Sequence, residues 1–245
     1  MITLSEFWQS KANKIDQKIY ELYEEFKKFI CCSNLPNFII QYVDSREDNT
    51  IFFRALVTVF NEPIILFFNI DGLDEESEEF QSDLIHEFTH LYDYSIQKQY
   101  YDNEFIRNNF SMYSEHHACQ IETLWRCKLI SHINDDIKYN NIDKETLLKL
   151  VYMKIAMYTV LYNQYKNNPC KQNFIMLKKS YLYVSGAVSL FQKITKTKMI
   201  QMPNFLTKYQ DDMKKGIELL WSVDYSDIPS EKILNEIGKI NIKTI

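Results

Sequence analysis

The chain contains little glycine, proline and cysteine for its length. It has 4 Gly, 5 Pro and 5 Cys among 245 residues. So few glycine and proline breaks favour long helices over a turn-rich β architecture. The cysteines are odd in number and include no C-x-x-C pair, so their spacing indicates neither a disulfide framework nor a thiolate zinc site. We therefore expect reduced cysteines that serve mainly in packing.

The chain also lacks an excess of positive charge and a long apolar run. Its formal net charge is -5, and its lysines are scattered among acids, which is not the electrostatic footprint of a nucleic-acid-binding protein. The most apolar stretch, residues 147–161, contains two lysines and is too short for a membrane span, so it predicts a buried helix. No charged leader followed by an apolar run opens the chain. We expect a cytoplasmic protein that binds neither nucleic acid nor a membrane.

What the chain does contain is ample material for a core, since 46% of its residues are hydrophobic and 15% are aromatic. A helical stripe of apolar positions covers residues 3–30. Three runs rich in Ile, Val and Phe then predict strands, and the short connection between the last two implies a hairpin. These runs are residues 37–43, 50–60 and 63–70.

Apolar spacing predicts helices for the remainder of the chain. One begins at Glu75 or Ser82 and ends near Gln99. After a polar loop over residues 100–109, a second runs from Ser111 to Ile133. Four more follow, with Asp143 and Asn204 as N-caps and Pro169 and Pro203 as stops, over residues 143–167, 171–197, 204–221 and 229–239. The pattern predicts an α+β fold, with a small β-sheet and core in residues 1–135 and an all-helical region packed on it in residues 136–245.

The strongest chemical signal is the pentapeptide His86-Glu87-Phe88-Thr89-His90. A helix presents residues i and i+4 on one face, so both imidazoles can meet one Zn²⁺. Glu87, beside the first histidine, can reach a water molecule on the same metal and act as the general base. This spacing predicts a zinc hydrolase, with His86 and His90 as metal ligands and one zinc ion per chain.

A catalytic zinc site usually takes a third protein ligand and keeps the fourth position for water. We expect that ligand to be Glu115, which follows His90 by 25 residues, because this distance allows the chain to turn and return on a neighbouring helix. Ala118, one turn further on, is small enough to let two helices approach closely. Four other side chains remain alternatives for the third ligand: Glu104, Glu122, His116 and His117.

Three further residues are candidates for supporting roles. Asp93 lies on the ligand face of the first helix, where it can accept a hydrogen bond from the outer imidazole N–H and fix its tautomer. The developing oxyanion needs an additional donor, for which Tyr113 or His116 is our choice. His117 is about 200° around the helix from Glu115, so it is expected to point away from the metal.

These residues together resemble a known group of enzymes. The sequence HEFTHLYD followed by SEHHA is similar to the gluzincin zinc metallopeptidases, in particular to the ImmA/IrrE-like family and to lethal-factor-like catalytic domains. The resemblance covers about residues 50 to 130. It implies a zincin-like core in which His86, His90 and Glu115 bind zinc and Glu87 is the general base. The doublet His116-His117 is unusual for this group. The histidine and the glycine expected in a metzincin, six and three residues beyond the second ligand, are absent, since Ile96 and Asp93 stand there.

Two functions are compatible with this pattern. The first is a zinc-dependent metallopeptidase that hydrolyses peptide bonds of a protein or peptide substrate. The second is a non-catalytic zinc-binding scaffold whose helical half, residues 136–245, makes the interactions. Glu87 favours the first function, because a purely structural zinc site does not need a base.

Overall fold

The computed structural model describes residues 6–46, 53–71, 74–97, 104–137 and 143–243. Within these ranges the chain forms seven α-helices and one three-stranded sheet. The predicted α+β class is therefore confirmed, and the chain is mainly helical. It divides into two compact units, Met1–Ser95 with Ser131–Asn134, and Ile96–Ile130 with Asp135–Ile245. The division into domains at residue 135 stays a prediction.

The first unit contains the sheet, the first helix and most of the helix that carries the HEFTH motif. Its elements are α1 (Glu6–Phe29), β1 (Ile39–Val43), β2 (Ala55–Val57), β3 (Ile65–Asn69) and α2 (Glu78–Gln97). Each element falls inside a range that the sequence pattern assigns to the same kind of structure. Positions 50–52 of the second predicted strand lie outside the described residues. Its carboxyl end is shorter than predicted, because the backbone turns after Val57.

The sheet is mixed, with strand order β1-β3-β2. The central strand β3 runs parallel to β1, with Ile39 opposite Ile65. It runs antiparallel to β2, with Val57 opposite Leu66. The predicted hairpin between the second and third strands is therefore confirmed. The strand β2 lies at one edge of this sheet, and the Val57 N–H on its outer side contacts Glu87 of α2.

An aromatic cluster anchors the middle of α2 in the core of the first unit. The Phe88 ring lies 4.8 Å from the ring of Tyr23, 5.8 Å from that of Phe26 and 5.9 Å from that of Phe38, measured between centroids. Phe88 is completely buried. Because it is the central residue of HEFTH, its burial fixes how α2 is rotated and hence where the flanking histidines lie.

The second unit consists of helices. They are α3 (Glu104–Arg126), α4 (Lys144–Asn167), α5 (Lys171–Thr195), a 3-10 turn (Thr207–Tyr209), α6 (Gln210–Trp221) and α7 (Glu231–Lys243). Helix α5 packs against both α3 and α4, and α7 packs against α3 and α6. The backbones of α5 and α3 approach each other closely at Gly186, where an added Cβ would lie 2.4 Å from the His116 carbonyl oxygen. Glycine is therefore required at this position.

The ends of α3 differ from the prediction. The helix begins at Glu104 instead of Ser111, because the polar stretch expected to form a loop supplies its first turns. It ends at Arg126 instead of Ile133. Lys128 adopts a left-handed conformation with φ 50°. Its N–H donates to the Trp125 carbonyl, and the N–H of the following residue donates to the Leu124 carbonyl. This is a Schellman termination, and no glycine marks it in the sequence.

One of the two predicted N-caps is confirmed and the other is wrong. The Asp143 side chain accepts hydrogen bonds from the N–H groups of Glu145 and Thr146 at the start of α4. Asn204 caps no helix, because a 3-10 turn intervenes and α6 begins only at Gln210. The Asn204 backbone carbonyl instead accepts a hydrogen bond from the Tyr158 hydroxyl at 2.7 Å.

The apolar stretch of residues 147–161 lies in α4, and it is less buried than predicted. Four residues of α4 are buried, namely Leu147, Leu150, Val151 and Tyr158. The opposite face is exposed and includes Tyr152 at 56% and Val160 at 56%. None of the helices, within the described residues, combines the length and the hydropathy needed to cross a membrane.

Candidate metal centre

Helix α2 begins with a well-formed cap and carries the two histidines on one face. The Ser77 hydroxyl accepts a hydrogen bond from the Phe80 N–H, which is the geometry of an N-cap. Four residues apart, the rings of His86 and His90 have centroids 5.0 Å apart and lie nearly perpendicular to each other. His86 is 7% exposed, and His90 is half-buried. The two imidazoles therefore form a pair of nitrogen donors at the i, i+4 spacing.

Glu87 is held against the edge of the sheet. Its Oε2 accepts a hydrogen bond from the Val57 backbone N–H at 2.7 Å, and this contact is buried. The N–H of Thr58 donates to Ile65 on β3, so the N–H of Val57 points to the opposite, outer side of β2. A backbone donor thereby fixes the orientation of the carboxylate that the sequence predicts to be a base.

Glu115 lies on α3, and its side chain is only 9% exposed. The ammonium group of Lys179 on α5 lies 2.6 Å from its Oε1. One ligand atom from each of His86, His90 and Glu115 lies within 4.8 Å of the other two. Two imidazoles and one carboxylate are a ligand set suited to a divalent transition metal such as zinc. These three side chains form a group that can bind a metal ion.

The alternative third ligands have other contacts in the described part of the chain. Glu122 makes a buried ion pair, with both carboxylate oxygens 3.0 Å from the Lys154 ammonium. The His117 Nε2–H donates to the Tyr225 carbonyl at 2.8 Å. His116 forms a hydrogen bond with the Ser185 hydroxyl at 2.9 Å. The side chain of Glu104 lies outside the described residues.

The three predicted supporting residues are all buried. Asp93 is 3% exposed on α2, and its role beside an imidazole stays a prediction. The Tyr113 hydroxyl donates to the Asp227 carbonyl at 3.2 Å, and its ring stacks on that of His117 at 5.2 Å. Burial lowers the pKa of His116 to about 3, so this imidazole is neutral at pH 7. The predicted role of Tyr113 or His116 as oxyanion donor stays a prediction.

Two contacts at the candidate metal centre have no signal in the amino-acid sequence. Val57 contributes a main-chain N–H, which any residue except proline would supply, so no side chain signals it. Lys179 follows Glu115 by 64 positions and belongs to no motif. Only the packing of α5 against α3 brings it to the carboxylate. The sequence therefore gives no signal for the cation beside Glu115.

The chain matches no family model, no curated protein and no solved structure. The chemistry of the group formed by His86, His90 and Glu115 is therefore what supports an inference about function.

Proposed function

We propose that the protein is a zinc-dependent metallopeptidase of the gluzincin type. The observation that carries this proposal is the group of His86, His90 and Glu115, whose ligand atoms lie within 4.8 Å of one another. Zinc bound there would polarise a carbonyl group and lower the pKa of a water molecule at its open position. The resemblance of HEFTH and SEHHA to the gluzincins supports the same function.

Side chains of the protein perform the other steps of the proposed reaction. Glu87 acts as the general base, takes a proton from the attacking water and later delivers it to the leaving amine. The hydrogen bond from the Val57 N–H holds its Oε2, so the carboxylate does not have to reorient during the reaction. Asp93, also on α2, would orient a ligand imidazole. A peptide or protein is the substrate class that this machinery suits.

The first prediction is that Glu87→Gln retains zinc but loses turnover by at least ~100-fold, because the amide cannot accept the proton. Metal content would be measured by mass spectrometry of the purified protein, and turnover by cleavage of a fluorogenic peptide library. Glu79→Gln is a matched control, since this glutamate lies in the first turn of the same helix. Full activity of Glu87→Gln in the presence of bound zinc would refute the mechanism.

A second candidate function is a zinc-binding scaffold without catalysis. The exposed apolar face of α4 favours it, because apolar side chains grouped on one helix face often mark interaction surfaces. This face includes Tyr152, Met153, Met157 and Val160. The scaffold has no use for Glu87 as a base. It therefore predicts that wild type and Glu87→Gln are equally inactive toward every member of the peptide library.

A further inference from the structure

We propose that Lys179 is a positioning residue for the metal ligand Glu115. This inference rests on the metal site of the proposed function. A carboxylate that binds a metal through one oxygen needs a partner for the other, and such partners orient the ligand. The Lys179 ammonium, 2.6 Å from Oε1 of Glu115, is that partner. The other oxygen, Oε2, would then be the one that binds the metal.

The packing of α5 against α3 fixes the position from which Lys179 reaches its partner. Three side-chain contacts join these helices, between His116 and Ser185, between Gln120 and Ser189, and between the Cys119 thiol and the carbonyl of Tyr183. Gly186 allows the close approach of the two backbones. Lys179 therefore extends from a helix whose register relative to Glu115 is fixed.

The burial of Glu115 distinguishes this ion pair from a surface contact. The Glu115 side chain is 9% exposed, whereas the Lys179 side chain is 42% exposed. A buried carboxylate without a charged partner is strongly unfavourable. By contrast, Lys193 on the same helix pairs with Asp224, whose side chain is 37% exposed. Removal of Lys179 therefore affects a buried acid, and removal of Lys193 does not.

Lys179 has two opposite effects on metal binding. It orients the ligand carboxylate, which favours the metal, and its charge repels an incoming cation. The repulsion acts from a side chain that is 42% exposed, so water and salt screen it. The orientation acts on a buried group and is not screened in this way. We therefore expect the positioning effect to be the larger of the two.

The second prediction is that Lys179→Met weakens zinc binding by about 10-fold or more, the usual effect of removing the partner of a metal ligand. Zinc affinity would be measured by competition with a chromophoric chelator, which requires no substrate. Lys179→Arg, which keeps the charge and the donors, is expected to retain most of the wild-type affinity. Lys193→Met is the matched control, because this lysine is on the same helix and 41% exposed, and it should bind zinc as wild type does.

Zinc binding by Lys179→Met that is as tight as wild type, or tighter, would overturn the proposal. If this variant does not fold, as judged by circular dichroism, Lys179→Gln provides the same comparison with the same expected loss. Failure of the wild-type protein to bind zinc would instead overturn the proposed metal site itself. The two failures are therefore distinguishable, because only the first leaves wild-type zinc binding intact.

Discussion

At the scale of single residues, the candidate metal centre contains two carboxylates, and each of them contacts a hydrogen-bond donor of the chain. Glu87 is held by a backbone N–H of the sheet edge at 2.7 Å, and Glu115 by a lysine ammonium at 2.6 Å. Both carboxylates are buried, and burial without such partners would be strongly unfavourable. Each contact also orients its carboxylate, as the predicted roles of base and metal ligand require.

The third prediction concerns Lys178, the neighbour of Lys179 on α5. Burial lowers the pKa of this lysine from 10.5 to about 8. Between pH 8 and pH 10.5 the unfolded chain therefore binds more protons, and the free energy of unfolding rises with pH. Below pH 8 the full cost of burying the charge is present. We expect Lys178→Met to raise the free energy of unfolding at pH 7 by about 1–3 kcal/mol.

This gain should shrink as the pH rises from 8 toward 10.5, because the wild-type lysine then loses its charge. Urea unfolding of both proteins at pH 7 and pH 10 measures the difference. Lys214→Met is a suitable control, since Lys214 is exposed on α6 and should change the stability little at either pH. A Lys178→Met variant that is less stable than wild type at pH 7 would contradict this account of the lysine.

Sequence reasoning identifies the residues at the centre better than their partners. Helix geometry alone places His86 and His90, at their i, i+4 spacing, on one face of a helix. Glu115 is predicted because the chain can turn after His90 and return on a neighbouring helix. Partners such as Lys179 depend on how separate helices pack, and periodicity carries no information about that. For the same reason, the sequence does not predict the hydrogen bonds of Tyr113 and His116. Their partners, Asp227 and Ser185, lie far along the chain.

At the scale of helices and strands, the shortage of glycine determines how several helices end. Residues with positive φ follow α1, α3 and α5, at Cys31, Lys128 and Lys196, with φ between 50° and 55°. In this left-handed region the Cβ atom crowds the backbone, at a cost of roughly 1–2 kcal/mol per residue. Glycine normally marks such helix ends, and at these three ends the sequence lacks that signal.

The fourth prediction follows from this cost. Lys128→Gly should raise the free energy of unfolding by about 1 kcal/mol, because glycine adopts φ 50° without the Cβ penalty and loses only part of that gain to its greater unfolded-state entropy. The Lys128 side chain is exposed, so little packing is lost. Chemical denaturation of wild type and variant measures the difference.

Lys149→Gly is the control for that experiment, because Lys149 is an exposed residue inside α4. There glycine should lower the free energy of unfolding by about 1 kcal/mol. Equal destabilisation by both substitutions would show that the conformation of Lys128 is not costly.

The absence of glycine at a helix end accounts for one of the errors at this scale, the predicted end of α3. Apolar periodicity locates α1, α2, α4 and α5 within a few residues, since it reflects the faces that are buried. It extends α3 to Ile133, because apolar residues continue beyond the actual end at Arg126. It starts α3 too late, because the first turns are polar. The side-chain N-cap is predicted correctly at Asp143 and wrongly at Asn204, because a 3-10 turn precedes α6.

At the scale of the whole molecule, the sequence predicts the fold class but not the sheet topology. The two adjacent β-rich runs that form the hairpin are close in the chain, so their pairing follows from the short connection. The parallel pairing of β1 with β3 places β2 at the edge and makes its outer N–H groups accessible to Glu87. Such an arrangement depends on non-local packing, which local patterns do not encode.

The proposed function depends on one metal ion, which His86 and His90 would bind together with Glu115. Its most direct test is an anomalous difference map at the zinc edge, recorded from crystals of the zinc-loaded protein. If the proposed function is correct, one strong peak lies about 2.0–2.2 Å from a nitrogen of His86, a nitrogen of His90 and a carboxylate oxygen of Glu115. Zinc at other side chains, or no peak at these three residues in the presence of excess zinc, would contradict it.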